Sequence, residues 1–437
     1  MRPIAVVLLD GLGDRAYPEL GGATANEAAA TPHLDAFAAR GSTGLLWPLG
    51  PGRAPSSELA HWAMLGYRGE EFPGRAVLEA LGWGRQVDPD RAYAYATLRP
   101  AEARDGKLWV TGRPGEEDRG VAEVLVGSVA RYEVDGFEFV LRHLSGGQGI
   151  LAVAGPVSSR VTDTDPFFRD RDPVLRPRPQ DGGATRMARA VEAWTLWAAE
   201  RLRAHRVNEE RRRRGLPALN VITLKWWGRP LPAPSFVHRH GLRGAIVGAS
   251  TFLGGLAEVV GLDFVRVPET PDAGADLSDR LERVAELLEA GATFVLSHQK
   301  ATDEAGHTKR PRRRLEVIEA IDRAVPRLAA GPFDGTVVCA TGDHATPAAP
   351  EVIHSGDPVP FLVAGPGVRA DDVQRFGERF QVGGILGHLG GEDVMPVLLN
   401  AADRARFMGS RPTNVAHALG HPALAEALEF DGEVEAP

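Results

Sequence analysis

The sequence predicts an α/β protein: a doubly wound, mostly parallel sheet with a second, inserted α+β domain. Three observations carry that expectation. Short, continuously apolar runs recur along the chain and read as strands buried on both faces. Stretches with apolar residues three and four apart lie between them and read as helices packed on that sheet. The middle of the chain departs from both patterns, with patchier strands and frequent prolines. At 437 residues the chain has room for two or three domains.

The first run, IAVVLLD (4–10), opens the core, and five more follow the middle region. They are GAIVGAS (244–250), DFVRVP (263–268), TFVLSH (293–298), TVVCATGD (336–343) and VPFLVAG (359–365). Between the third and fourth of the six runs, DLSDRLERVAELLEAG (276–291) has helical spacing. Strand–helix alternation of this kind gives a doubly wound sheet. The interruption is placed at 85–234, so residues 1–84 and 235–437 form the two parts of the core. Within it, DPVLRPRPQDGG (172–183) precedes one long helix from about Thr185 to Arg214. Gly215 and Pro217 end that helix. The proline-rich GRPLPAPS (228–235) is the return crossing.

Composition excludes several classes. With 43% hydrophobic and 25% charged residues the chain is globular rather than disordered. A net charge of −8 argues against nucleic acid as a partner. The run Arg211–Arg214, preceded by Glu209 and Glu210, reads as a solvated helix face. The single cysteine, Cys339, cannot form an internal disulfide framework and fits a reducing cytosol, so a cytoplasmic protein is expected. The apolar run Ile4–Leu9 is too short for a secretory segment or a membrane span. No membrane partner is expected, and a monomer is the default.

In an open parallel sheet, ligands bind beyond the carboxyl ends of the strands. Asp10 ends the first run. TFVLSHQKATDEAGH leads to Asp303 and His307, TVVCATGDHATP ends at Asp343 and His344, and His354 stands just ahead of VPFLV. Singly these have ordinary explanations, such as a tight turn at Asp10-Gly11 or a surface pair at Asp303 and His307. Asp343-His344 is harder to explain so, because a charged pair behind an apolar strand needs partners. Together, three carboxylates and three imidazoles at one edge indicate metal. Mixed His/Asp ligation suits Zn²⁺ or Mn²⁺ better than Mg²⁺. Six side chains exceed one four-coordinate ion, so two ions are expected, as in sites that clamp both oxygens of an in-line displacement. The segment APSSELAHWAMLGY (54–67) offers Ser56 and Ser57 as nucleophiles without a convincing nearby base. Coordination to a divalent ion supplies the missing activation.

With these residues in place, the chain resembles the archaeal-type, cofactor-independent phosphoglycerate mutases of the alkaline phosphatase superfamily. ATPHLDAFAARG (30–41), SELAHWAMLGY, RVTDTDP (160–166), VNEERRRRGLP, KATDEAGH, TGDHATP and HSGDPVPFLV follow in family order. The resemblance selects Ser57 over Ser56 as the residue that accepts and returns a phosphoryl group. It implies one metal site of Asp303, His307 and His354 and another of Asp10, Ser57, Asp343 and His344. It also implies that the inserted domain closes over a small phosphorylated substrate. Arg75, Arg160, Asp163 and Lys225 are the candidates for binding that substrate.

The match weakens at the positions assigned to the family's substrate-binding groups. Ala92 and Ala94 stand where an arginine and an asparagine are expected, and Gln148 where an arginine is expected. TLKWWG, with Lys225, Trp226 and Trp227, replaces LLRGAG, and Gly254 replaces a lysine. Phosphoglycerate is small and highly anionic, so lost cations matter. The leading expectation is a serine phosphomutase of this type, or a paralogue with a changed substrate. A phosphohydrolase acting on another phosphoester or phosphonate is the alternative, and a non-catalytic binding protein the third. His61, His238 and His240 are read as structural.

Overall fold

The computed structural model describes residues 1–115, 118–166 and 172–405. The chain divides into two compact units: Met1–Glu70 with Ala233–Leu253 and Ala257–Pro437, and Glu71–Pro232 with Gly254–Leu256. Residues 406–437 lie outside the described residues. The second unit begins at Glu71 rather than at 85, because helix Arg75–Gly82 packs on strands Ala92–Arg104 and Leu219–Gly228.

The first unit is built on an eight-stranded sheet. Its order is Asp263–Arg266, Gly244–Gly248, Phe294–Gln299, Ile4–Leu9, Val337–Thr341, Val359–Ala364, Ser42–Trp47 and Gly387–Gly390. All six expected runs are strands. Ser42–Trp47 and Gly387–Gly390 were not anticipated. Every residue of Ile4–Leu9 is buried, so both faces of the central strand are covered. Each large apolar side chain there contributes roughly 1.5–3 kcal/mol by leaving water. On one face, Leu277, Leu281 and Val284 of helix Ala273–Glu289 join Val317 and Ile321 of helix Pro311–Asp322 in the core. The former helix starts at Ala273, ahead of the expected 276, because the Asp272 side chain accepts the Ala275 N–H at 2.8 Å and caps it.

One strand runs the other way. Val359–Ala364 is antiparallel to both neighbours, while the remaining seven strands share a direction. The amino end of this strand therefore lies at the carboxyl edge of the others. That reversal brings His354, which precedes the strand, to the same edge as Asp10 and Asp343.

The second unit holds a six-stranded antiparallel sheet in which Ala92–Arg104 pairs with Lys107–Val110, Gln148–Ala154 and Leu219–Gly228. Helix Thr185–Arg203 packs on it through Met187, Val191, Trp194 and Ala198. The expected single helix to Arg214 is two: His205 leaves the helical region, and its ring accepts the Val207 N–H at 3.2 Å to cap Arg206–Arg213. Buried Asn208 fixes the break by donating to the carbonyls of Leu202 and Leu219. Among the described residues, no helix is long and apolar enough to cross a membrane.

Candidate metal centre

The turn after strand Ile4–Leu9 sets the site. Gly11 has φ +65, and a Cβ there would stand 2.5 Å from Thr346 Oγ1 and 3.0 Å from Asp303 Cα. Only glycine lets the chain turn this close to the neighbouring ligand segments. Asp10-Gly11 is thus a tight turn and a site element at once. Ser57 is the first residue of helix Ser57–Met64, where free N–H groups and the helix dipole favour negative charge.

All seven expected ligand positions meet at this edge. Ser57 Oγ lies 3.0 Å from His344 Nε2, which lies 3.1 Å from Asp10 Oδ1 and 3.4 Å from Asp343 Oδ2. Asp303 Oδ1 lies 3.2 Å from His307 Nε2 and 3.6 Å from His354 Nε2. Ligands of a tetrahedral ion with bonds of about 2.1 Å stand about 3.4 Å apart. These separations fit that spacing. Asp10, Asp303, Asp343 and His344 are buried, while His307 remains partly exposed.

The hydrogen bonds fix which imidazole nitrogens are free to ligate. Thr346 Oγ1 donates its one proton to Asp303 Oδ1 at 2.8 Å, so it accepts from His344 Nδ1 at 3.1 Å. His354 Nδ1 donates to the Pro55 carbonyl at 2.8 Å. In both residues Nε2 is left facing the carboxylates, the arrangement that outer partners impose on ligating histidines.

The electrostatics call for positive charge. Burial and the neighbouring Asp10 push the Asp343 carboxyl up to about 6. Burial also raises Asp10, but the imidazoles of His298 and His344 outweigh it and hold that carboxyl well below its usual range. Burial disfavours a proton on His344, yet Asp343 and Asp10 raise it to about 9. Asp10 Oδ1 and Asp343 Oδ2 have no hydrogen-bond partner although both are buried. Such orphaned oxygens among imidazoles fit a divalent cation.

Two residues around the site escaped the sequence reading. His298 Nε2 lies 3.2 Å from Asp10 Oδ2, because parallel register sets Leu8 opposite His298. The signal was a histidine near the carboxyl end of a strand that opens with Phe294, Val295 and Leu296. Arg314 is fully buried and donates to the carbonyls of Gly11, Leu12, Gly13, Thr302 and Thr346, with Nε 3.2 Å from Asp14 Oδ2. One guanidinium thereby ties together the segments that carry Asp10, Asp303 and His344. His61, read as structural, donates from Nδ1 to the Ser57 carbonyl at 2.6 Å.

In the second unit, three of the four expected substrate-binding residues gather around Trp226. The Arg75 guanidinium lies 4.1 Å from its ring and Lys225 Nζ 4.2 Å. Asp163 Oδ1 accepts the Trp226 N–H at 3.0 Å. Burial, with Asp165 adding to it, pushes the Asp163 carboxyl up to about 7. Trp226 itself has φ +61, a strained conformation for a bulky residue. Arg160 stands apart, exposed, within 3.6 Å of Glu71 and 3.9 Å of Asp181. Ala92 and Ala94 prove to be core residues packed under helix Thr185–Arg203. A one-residue step along a strand changes faces, so Tyr93 and Tyr95 hold the opposite face.

The fold and the site define a metalloenzyme, and residues 2–401 match the Metalloenzyme superfamily. The chain is 37% identical over 422 residues to the 2,3-bisphosphoglycerate-independent phosphoglycerate mutase of Methanopyrus kandleri, covering 94% of this chain and 98% of that one. It is 34% identical to such a mutase of Pyrococcus abyssi, covering 93% and 98%. The solved cofactor-independent phosphoglycerate mutase of Thermoplasma acidophilum superposes with a TM-score of 0.63 at 30% identity, covering 92% and 100%. A solved protein of Pyrococcus horikoshii gives 0.75 at 31%, covering 94% and 99%. The chain belongs to the 2,3-bisphosphoglycerate-independent phosphoglycerate mutase family, a class of metal-dependent isomerases.

Proposed function

We propose that the protein interconverts 3- and 2-phosphoglycerate through a phosphoserine at Ser57, with two divalent ions, Mn²⁺ or Zn²⁺. The observation that carries this reading is Ser57 Oγ, 3.0 Å from His344 Nε2 and beside a complete set of His and Asp ligands at metal spacing. Full-length relatives that bear the mutase name support the substrate. Asp303, His307 and His354 would hold one ion, and Asp10, Ser57, Asp343 and His344 the other. Ions bound there would acidify the serine hydroxyl and neutralise charge on the transferring phosphoryl group.

The chain's own residues perform the rest. Ser57 gives up its proton and forms the bond to phosphorus as the bond to the substrate's O3 breaks and O3 takes a proton. The neighbouring 2-hydroxyl then loses its proton and attacks the phosphoserine, and Ser57 Oγ is reprotonated. Atoms balance without a co-reactant. Helix Ser57–Met64 presents its positive end to the phosphoryl oxygens. To Arg75, Asp163 and Lys225 we assign the substrate's carboxylate and hydroxyl. Arg160 can join them cheaply, because its exposed ion pairs are weak. A cytoplasmic monomer completes the reading.

The test is mass spectrometry of the Mn²⁺-loaded protein quenched during turnover with 3-phosphoglycerate. The reading predicts added phosphate on the peptide carrying Ser57 and none in Ser57→Ala. Unmodified Ser57 with undiminished turnover in Ser57→Ala would refute covalent transfer.

A further inference from the structure

Beside the residues assigned to phosphoryl transfer lies a second group of ligand residues, of which the two ion sites leave His61 and His298 unused and share Asp343. His61, His298 and Asp343 each offer one ligand atom, and these lie within 4.8 Å of one another. Their side chains are 0%, 2% and 0% exposed. His61 Nε2 and Asp343 Oδ2 have no hydrogen-bond partner, and His298 Nε2 faces Asp10 Oδ2 at 3.2 Å. A single orphaned buried polar atom is uncommon. Two in one cluster call for an occupant.

The chemistry of the three atoms identifies its kind. His61 Nδ1 faces the Ser57 carbonyl at 2.6 Å, and a carbonyl only accepts, so Nδ1 carries the proton and Nε2 a bare lone pair. Asp343 Oδ1 already accepts the Gly11 N–H at 3.0 Å, which leaves Oδ2, 3.4 Å from His344 Nε2 and 3.7 Å from His61 Nδ1, as the oxygen common to both groups. Asp10 presents Oδ1 to His344 Nε2 at 3.1 Å and Oδ2 to His298 Nε2 at 3.2 Å, so its two oxygens face opposite sides. The His61 lone pair and the Asp343 and Asp10 carboxylates are all acceptors, and a water has only two protons to give them. A cation satisfies them all. Two imidazoles with a carboxylate suit Zn²⁺ or Mn²⁺ rather than Mg²⁺. Phe252 closes the cluster, with its ring edge-on to His61 at 5.8 Å and to His298 at 6.4 Å.

We propose that His61, His298 and Asp343 hold a third divalent transition-metal ion, joined to the phosphoryl-transfer site through the shared Asp343 carboxylate. It rests on the two-ion reading only through Asp343. The third ion places positive charge beside Asp343 and, through His61, braces the backbone carbonyl of Ser57.

The test uses the full chain, stripped with a chelator and reloaded with Zn²⁺ alone or Mn²⁺ alone. Metal per chain is measured, and crystals are examined at the metal's absorption edge. Three ions per chain are expected, with one anomalous peak about 2.0–2.2 Å from His61 Nε2 and His298 Nε2. His298→Gln and His61→Gln should each lose that peak and one equivalent while keeping the peak at Asp303, His307 and His354. Two ions per chain, with no peak between His61 and His298 in the unsubstituted protein, would overturn the proposal, whatever the variants do. A missing peak at Asp303, His307 and His354 counts against the two-ion reading instead, so the two failures are told apart by position.

Discussion

Replacing Arg314 by lysine should loosen the metal centre from behind, without touching a ligand. The guanidinium serves five carbonyls and sits 3.2 Å from Asp14 Oδ2, in a position with no solvent exposure. Lysine keeps the charge but has three donors on one atom, so at least two of those carbonyls lose their partner. An unsatisfied buried acceptor costs roughly 1–3 kcal/mol. Two or three of them, partly relieved by relaxation, give a loss of about 4 kcal/mol, a large share of a total near 5–15 kcal/mol. The segments released carry Asp10, Asp303 and His344, so Mn²⁺ affinity should fall about 10–100-fold, as for other outer partners of metal ligands. Because the chain has two units, stability is best read by hydrogen exchange through a urea series on peptides of the first unit. A loss under about 1 kcal/mol with unchanged Mn²⁺ affinity would refute the positioning role of Arg314.

Two further outcomes follow from the structure. Asp303→Asn removes the charge shared by His307 and His354, so one equivalent of Mn²⁺ should be lost and turnover should drop at least 100-fold; metal analysis beside activity checks this, and full metal content would break the assignment. Glu378 is buried, and burial together with Asp14 raises its carboxyl to about 7. The folded state therefore binds more protons than the unfolded one between about pH 4.5 and 7, and stability due to this group falls as pH rises through that window. Glu378→Gln should flatten the fall in urea midpoint across the same range, whereas an unchanged slope would show that Glu378 does not titrate there.

Much of this was legible in the sequence. Apolar runs located the central strands, and polar residues at their ends gave Asp10, Asp303, Asp343 and His344 before any coordinates. What stayed hidden depends on pairing. The position of His298 follows from parallel register with Leu8, and no local pattern encodes register. Arg314 stands in the basic stretch KRPRRR, where four cations face solvent or carbonyls and one is fully buried; helical periodicity alone does not say which turns inward. The reversal of Val359–Ala364, which delivers His354, arises from its antiparallel pairing with Val337–Thr341 and Ser42–Trp47. The break at His205 hid because its ring caps like a serine or aspartate, a role histidine seldom fills.

The central claim is that a serine phosphomutase operates on phosphoglycerate at this metal centre. Phosphorus NMR of the Mn²⁺-loaded protein with 3-phosphoglycerate, run beside Ser57→Ala, tests it most directly. The account predicts a growing 2-phosphoglycerate signal without inorganic phosphate, absent in Ser57→Ala. No isomerisation, with phosphate released from 3-phosphoglycerate or from another phosphoester, would contradict it and leave a hydrolase built from the same residues.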